Sequence, residues 1–200
     1  MTHPRGTVLV ALAMWVMMGA MTGCSADDED EPTDDVTNPT ANPTDTSMAS
    51  ALRRSRRAFL DSAVGLRATG YVPSFGYTRY AICTDEGADW RVSANGRLDR
   101  QPPTGSSRAD AEAVRDELTS VGWTPYDTST SPDGIRELTS HWIVTVERDD
   151  LTINVSLYTN QPYVLIRVLG PCLPATPEQR KEYETAPDQR FAVPDASADT

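Results

Sequence analysis

The chain has 200 residues, 29 acidic and 18 basic side chains, and a formal net charge of -11. This excess of negative charge argues against a nucleic-acid binder, which would depend on neutralising phosphates. The charge is unevenly placed, because residues 25–50 carry eight carboxylates and no basic side chain, whereas residues 51–170 carry 14 arginines and 15 carboxylates. One modest, nearly neutral domain beside acidic flanks is therefore the largest folded unit that this chain allows.

Residues 1–23 have the layout of a secretory signal peptide. Arg5 precedes an apolar run of 13 residues, 8–20, and small residues then lead to Cys24. A helix needs about 20 apolar residues to span a bilayer, so a permanent membrane span is the weaker interpretation. The amino-terminal segment therefore predicts export.

The end of this segment, Met21-Thr22-Gly23-Cys24, resembles the lipobox of bacterial lipoproteins, with methionine where leucine is usual. In that family the cysteine thiol receives a diacylglyceryl group, and cleavage follows just before it. The resemblance implies that Cys24 becomes the lipidated mature amino terminus, where two acyl chains hold a protein on a membrane more firmly than one. An uncleaved signal anchor or plain secretion is the alternative.

Residues 24–47 combine this cysteine with an acidic tether rich in threonine and proline. Val36 is the only large apolar residue of the tether, which cannot bury enough surface to offset chain entropy. The tether is predicted to be disordered and to act as a spacer. Binding of cations or of a basic partner is the alternative, although runs of like charge are ordinarily solvated.

Two helices are predicted in residues 48–175. Apolar residues at helical spacing predict an amphipathic helix over 48–68, ended by Gly70. Ser107, with Asp110 three residues later, predicts the start of a second helix that ends at Gly122 before Trp123. The apolar face of this second helix consists of Ala111, Val114, Leu118 and Val121.

Alternating apolar residues predict about five strands, at 75–83, 90–93, 135–147, 151–157 and 163–169. Asn95-Gly96 predicts a tight turn or bulge. The nearly continuous apolar run at 163–169 predicts a strand that is central or covered on both faces.

The order α-β-β-α-β-β-β predicts an α+β fold, with an antiparallel sheet of about five strands and two helices packed on one face. The single domain is expected over 48–175. Residues 176–200 offer few large apolar side chains, so at most two helical turns and then a mobile tail are expected there.

The chain has three cysteines, and lipidation of Cys24 leaves Cys83 and Cys172. Export places both in an oxidising compartment, so one disulfide between the first and last predicted strands is expected. A redox-active or nucleophilic thiol is the alternative, but the chain has no Cys-x-x-Cys spacing.

Together these features resemble small actinobacterial lipoproteins of uncharacterised function. The resemblance covers the lipobox, the acidic tether and three short stretches of the domain: Tyr80-Ala81-Ile82-Cys83, Leu118-Thr119-Ser120-Val121-Gly122-Trp123 and Gly170-Pro171-Cys172. It implies an architecture and a location, and it carries no catalytic motif.

Candidate catalytic groups are few. After signal removal His141 is the only histidine and Lys181 the only lysine, and no Gly-x-Ser-x-Gly elbow is present. His141 is interpreted as a sheet-face residue, and a single histidine argues against a zinc site. Asp85 and Glu86 could act as a glycosidase pair across a cleft, but adjacent carboxylates in a predicted turn favour a solvated turn. We expect no catalytic residue, metal or cofactor.

Two surfaces could bind a partner. The first is an arginine cluster on the first helix, Arg53, Arg54, Arg56 and Arg57, which could meet anionic lipid or wall polymer but is more simply a solvated face. The second is a set of aromatic side chains that could line a groove or fill the core of the sheet: Tyr77, Tyr80, Trp90, Trp142 and Tyr158.

The sequence therefore predicts a lipid-anchored module on the outer side of the cell membrane. It is expected to bind an unknown protein or envelope ligand, to bind no nucleic acid and to have no enzymatic activity. A small envelope-polymer hydrolase that uses carboxylates, or a passive envelope component, is the alternative.

Overall fold

A computed structural model describes residues 47–83 and 89–193. The signal peptide, Cys24 and residues 25–46 of the tether lie outside the described residues. Asp85 and Glu86, expected in a solvated turn, also lie outside the described residues.

The described chain has an α+β fold built on a large antiparallel sheet of nine strands, with three α-helices. In chain order the helices are α1 (Met48–Gly65), α2 (Arg108–Ser120) and α3 (Pro177–Thr185), and a short 3₁₀ helix (Leu66–Thr69) follows α1. The strands are β1 (Tyr71–Ile82), β2 (Asp89–Arg100), β3 (Thr124–Pro125), β4 (Ile135–Leu138), β5 (His141–Arg148), β6 (Leu151–Tyr158), β7 (Tyr163–Leu169), β8 (Leu173–Pro174) and β9 (Gln189–Phe191).

The strands are ordered β3-β5-β6-β7-β2-β1-β9, with β4 also paired to β5 and β8 to β2. The expected count of five strands and two helices is corrected for two reasons. The region 135–147, predicted as one strand, contains a turn at residues 139–140 that folds β4 back on β5. Three further strands, β3, β8 and β9, are only two or three residues long, too short to show an alternating pattern.

The predicted tight turn or bulge at Asn95-Gly96 is wrong, because β2 runs through both residues and the register shift of this strand pair lies between Pro73 and Phe75 of β1. Gly96 stands opposite Gly76 of β1. A Cβ atom at Gly96 would collide with the ring of Phe59 and with the backbone oxygen of Phe75. The glycine therefore allows α1 to approach the sheet closely, which a local turn signal cannot distinguish from a hairpin.

The hydrophobic core lies between the helices α1 and α2 and one face of the sheet. Alternate residues of β6 are fully or nearly fully buried in it, and so are alternate residues of β7. Helix α1 contributes Phe59 and Leu66, and α2 contributes Val114 and Leu118. The amphipathic pattern thus places both helices as expected.

The second helix differs from the prediction at its end. Val121 was expected in the core but is 43% exposed. The helix ends at Ser120, and Gly122 adopts a φ of 91°, which redirects the chain. Trp123 then occupies the buried position, and its backbone N–H donates to the Leu118 oxygen.

The segment after Ala175 contains a helix of the expected short length, but a packed strand follows it where a mobile tail was expected. Helix α3 begins with a capping box between Thr176 and Gln179. Its Tyr183 stacks on Tyr80 of β1, with 4.4 Å between ring centroids. Strand β9 then pairs with β1 and buries Phe191, so the packed part of the chain extends beyond residue 175.

Strand β7 is central, between β6 and β2, as its apolar run indicates. Only one of its faces is covered, because Leu165 on the other face is 40% exposed. We call this second side of the sheet the open face.

Among the helices of residues 47–83 and 89–193, none has the length and hydropathy of a membrane-spanning helix.

Candidate ligand-binding face

The open face carries a depression of about 360 Å³. Six strands contribute to its lining: Phe75 and Tyr77 from β1, Asn95 and Gly96 from β2, Arg136 from β4, Ile143 from β5, Asn154, Ser156 and Tyr158 from β6, and Leu165, Ile166 and Arg167 from β7. Six strands of the sheet, rather than one loop, therefore form the depression.

Strand register explains why these residues meet. One row of directly opposed residues crosses five strands: Tyr77, Asn95, Arg167, Asn154 and Thr145. A neighbouring row crosses six: Phe75, Arg97, Leu165, Ser156, Ile143 and Arg136. Opposed residues of antiparallel strands project to the same side of a sheet, so both rows belong to the open face.

Hydrogen bonds hold the polar row in place. The Nε of Arg167 donates to the Oδ1 of Asn95 at 3.0 Å, and the Nδ2 of Asn95 donates to the Oγ of Ser93 at 2.9 Å. The hydroxyl of Thr145 donates to the Oδ1 of Asn154 at 2.8 Å. Both amide oxygens of the lining therefore already accept an internal hydrogen bond.

The positive charges around the depression differ in their partners. Arg97 pairs with Asp99 at 2.6 Å and lies over the Tyr163 ring, 4.2 Å from its centroid. Arg136 and the terminal nitrogens of Arg167, by contrast, form no ion pair or hydrogen bond within the described residues. All the residues that line the depression are neutral or basic. The depression is therefore electropositive.

The aromatic residues singled out from the sequence do not form one group. Tyr77 and Tyr158 line the depression. Tyr80 and Trp90 instead contact Tyr183 of α3. A separation of three residues places Tyr77 and Tyr80 on opposite faces of a strand, and this alternation is a signal that the sequence contained.

Trp142, the fifth of these aromatics, belongs to the core side of the sheet. It stands opposite Leu157 in the register, packs against the core and lies under the Arg108 guanidinium, 5.5 Å from the ring centroid. Phe75 and Tyr163 were not singled out from the sequence, yet Phe75 lines the depression and Tyr163 contacts Tyr158 beside it.

His141 lies at the start of β5 at the end of the open face, as a sheet-face residue. Its ring stacks on Tyr158 at 5.0 Å, and its Nδ1 lies 3.2 Å from the Ser140 hydroxyl. Within the part of the chain that the structure describes, no three His, Cys, Asp or Glu side chains are grouped closely enough to hold a metal ion. Lys181 is exposed on α3.

The expected disulfide between Cys83 and Cys172 is present, with 5.9 Å between the Cα atoms. It joins the end of β1 to the segment before β8. Arg91 contacts both sulfur atoms, because its Nε lies 3.0 Å from the Cys83 Sγ and its Nη2 lies 2.8 Å from the Cys172 Sγ. No local sequence pattern indicates this role for Arg91, since the contact depends on the pairing of β1 with β2.

Three side chains of the arginine cluster of α1 have partners within the domain, two of them carboxylates and one an aromatic ring. Arg54 forms a bidentate pair with Asp150, at 2.7 and 2.8 Å. Arg57 lies 3.7 Å from Asp61, and Arg56 lies over the ring of Phe191. These internal partners favour a structural role for the cluster over a membrane-binding one.

The carboxylate of Asp110 belongs to the cap of helix α2 and accepts hydrogen bonds from Ser107 and Arg100. Burial opposes its ionisation, but hydrogen bonds from Ser107 and the guanidinium of Arg100 outweigh burial and lower the pKa of the Asp110 carboxyl. Because Asp110 closes the capping box of α2, its lowered pKa reflects its role in stabilising that helix.

The open face thus combines exposed aromatic rings with two arginines and several hydrogen-bond donors that have no anionic partner within the described part of the chain. This arrangement suits the binding of a ligand better than it suits any chemistry that needs paired carboxylates. A function for the chain has to be argued from these side chains, because no protein-family model, no curated protein and no solved structure matches the chain.

Proposed function

We propose that this protein is an exported lipoprotein, anchored to the outer side of the cell membrane through Cys24, whose domain binds a ligand on the open face of its sheet. The depression of about 360 Å³ on that face carries the binding part of the proposal. Ligand sites are concave, lined by apolar and aromatic groups, and oriented by a few polar side chains, and this lining has that composition.

The anchoring part of the proposal is supported by the amino-terminal sequence, where a signal-peptide layout ends in Met-Thr-Gly-Cys. The disulfide between Cys83 and Cys172 is compatible with export, since such bonds persist in oxidising compartments. The acidic residues between Cys24 and the domain would act as a spacer, since runs of like charge are ordinarily solvated. A ligand could then reach the open face from the surrounding envelope.

Anchoring is tested with the variant Cys24→Ser in the native host. We expect the wild-type chain in the membrane fraction, with a mature mass that includes acyl chains, and the variant released or unprocessed. Thr40→Ser is the control, because it introduces the same residue behind the lipobox and leaves Cys24 and the disulfide unchanged. Unchanged fractionation and unchanged mature mass in Cys24→Ser would refute anchoring.

Ligand binding at the open face is tested by photocrosslinking in intact cells. A photoreactive phenylalanine analogue replaces Phe75, which is 46% exposed and lines the depression. The control position is Val64, which is equally exposed at 46% but lies on α1, on the opposite layer of the domain. We expect a discrete mass adduct from position 75 and none from position 64. The same adducts from both positions, or none from either, would refute a site on this face.

A further inference from the structure

We propose that the depression on the open face binds a small organic anion, whose carboxylate or phosphate group is held by Arg167 and Arg136. This inference rests on the proposed function above and adds the chemical class of the ligand. Three properties of the lining support it: the balance of hydrogen-bond donors and acceptors, the distribution of charge, and the size and apolar part of the depression.

The free polar groups of the lining are mainly donors. The Oδ1 atoms of Asn95 and Asn154 accept internal hydrogen bonds from Arg167 and Thr145. The side-chain N–H₂ of Asn154 and the hydroxyl of Ser156 form no hydrogen bond within the described residues. The terminal N–H groups of Arg167 are likewise unused there. A ligand that satisfies this lining must therefore present acceptors.

Among ligands that present hydrogen-bond acceptors, the positive charge of the lining favours anions. Nearby arginines have internal partners, since Arg97 pairs with Asp99 and Arg79 pairs with Asp188. The two arginines of the depression pair with no carboxylate within residues 47–83 and 89–193, although the Nε of Arg167 donates to Asn95. Guanidinium groups bind carboxylates and phosphates through charge-assisted, often bidentate hydrogen bonds, which are about twice as strong as neutral ones.

The two guanidinium groups approach the depression from different sides. Arg167 lies on β7 and Arg136 on β4, and the strands β6 and β5 lie between them. Three interstrand spacings of about 4.8 Å and an offset of two residues along the strands separate their backbones by about 16 Å, and each side chain extends several ångströms over the sheet. Between them lie the donors Asn154 and Ser156, so an anion there meets positive charge on both sides.

The remainder of the lining suits a small organic body. Leu165 and Phe75 are 40% and 46% exposed, which is high for large apolar side chains of a sheet. A ligand with an apolar side would cover them and Tyr158. A volume of about 360 Å³ is near the lower end of ligand pockets, which favours a small molecule over a polymer segment.

The test measures binding of defined probes to the full mature chain, purified from membranes in detergent. Charged probes are glucose 1-phosphate and phenyl phosphate for the phosphate class, and glucuronate and benzoate for the carboxylate class. Glucose and benzyl alcohol are the matched uncharged probes. Titration calorimetry and NMR shifts of open-face residues report binding, with a dissociation constant of about 1 mM as the weakest affinity scored.

Three variants locate the anion. Arg136→Gln removes a guanidinium that has no internal partner in the described chain, so the fold should not change. Arg167→Gln removes the second guanidinium. Arg57→Gln is the control, because it removes the same charge from an exposed side chain of α1. We expect at least one charged probe to bind about tenfold more tightly than its uncharged match, and Arg136→Gln and Arg167→Gln each to weaken it about tenfold while Arg57→Gln does not.

Binding of only the phosphate probes, or of only the carboxylate probes, would support the proposal and identify the anion. Equal affinity for charged and uncharged probes would overturn it, and so would unchanged affinity in Arg136→Gln, which is the variant least able to perturb the fold. A dimer that dissociates in Arg136→Gln while no probe binds would assign the face to a second copy and also overturn it. A crosslinked adduct at Phe75 that carries no anionic group would overturn the ligand class and leave the proposed function standing.

Discussion

The rings of Phe59 and Phe191 meet edge to face, with 5.3 Å between their centroids and 80° between their planes. Phe59 belongs to α1 and Phe191 to β9, so this pair joins the first helix to the last strand of the described chain. Two glycines make room for it, because a Cβ at Gly96 would collide with Phe59 and one at Gly76 would collide with Phe191. The contact therefore couples the carboxyl-terminal segment to the core.

Replacing Phe191 by alanine should lower the free energy of unfolding by about 3 kcal/mol, because a ring that is 9% exposed leaves the core and opens a cavity. Arg190→Ala is the control, since the Arg190 side chain is exposed on the same strand. Urea denaturation of both variants measures the difference. Equal stability of Phe191→Ala and the wild type would show that the segment after Ala175 does not contribute to the fold.

Gly96→Ala should destabilise the domain by about 1 to 3 kcal/mol, since the added methyl group collides with the Phe59 ring and with the backbone of Phe75. Gly65→Ala is the matched control, because a Cβ there meets only the Glu117 side chain at 3.5 Å, an ordinary contact distance. The control should be neutral or slightly stabilising in a helix. Thermal unfolding compares the two, and equal effects would contradict the role given to Gly96.

The double variant Cys83→Ser with Cys172→Ser should lose about 4 to 5 kcal/mol of stability in the chain-entropy treatment of a loop of 89 residues. Chemical reduction of the wild type should produce the same loss and should not change the stability of the variant. Denaturation with and without dithiothreitol provides the measurement. A reductant-insensitive wild type would argue against the bond.

Arg91→Gln should slow reduction of the disulfide by dithiothreitol roughly threefold. The Arg91 guanidinium lies against both sulfur atoms, where its charge stabilises the thiolate that leaves during exchange. Arg57→Gln, on the opposite layer of the domain from the open face, should leave the rate unchanged. Thiol release under native conditions reports the rate, and a faster reduction in Arg91→Gln would reverse the assigned role of the charge.

Asp110→Asn should lower stability at pH 7 by about 1 to 2 kcal/mol, because it weakens the capping box and the pair with Arg100. The pKa of Asp110 is lower in the folded chain than its ordinary value of 3.8. Its contribution is therefore complete above pH 3.8 and is lost as the pH falls through the lower folded value.

Stability of the wild type and Asp110→Asn should thus converge in acid. Asp116→Asn, an exposed carboxyl later in α2, is the control and should change stability little at any pH. Denaturant titrations between pH 2 and pH 7 test this, following the general linkage of stability to protonation. A difference that persists unchanged at pH 2 would contradict the lowered pKa.

Elements that depend on contacts within a few residues were predictable from the sequence. The apolar stripe of α1 and the cap of α2 at Ser107 and Asp110 need only neighbours along the chain. The alternation of β6 has the same local character, and its inward side chains are buried as expected. The disulfide followed from the number of cysteines and the expected export.

Features that depend on distant partners were not predictable. From the sequence, Asn95-Gly96 resembles a turn. The structure shows that Gly96 has no side chain because the Phe59 ring occupies that space. Arg136 reaches the depression only because β4 folds back on β5. From the sequence alone, a polar residue at such a position is interpreted as an ordinary solvated side chain. The aromatic residues also lie on two different faces of the sheet, since Tyr77 faces the depression and Tyr80 faces α3.

The sequence by itself therefore predicts export, and it determined the helices α1 and α2, the alternation of the long strands and the pairing of Cys83 with Cys172. These features follow from composition and from periodicities of 2 and 3.6 residues, which act along the chain. Only the tertiary structure decided which side chains share the open face. Strand register brings together Arg136, Asn154 and Arg167, which are separated by up to 31 positions, and no local pattern encodes that register.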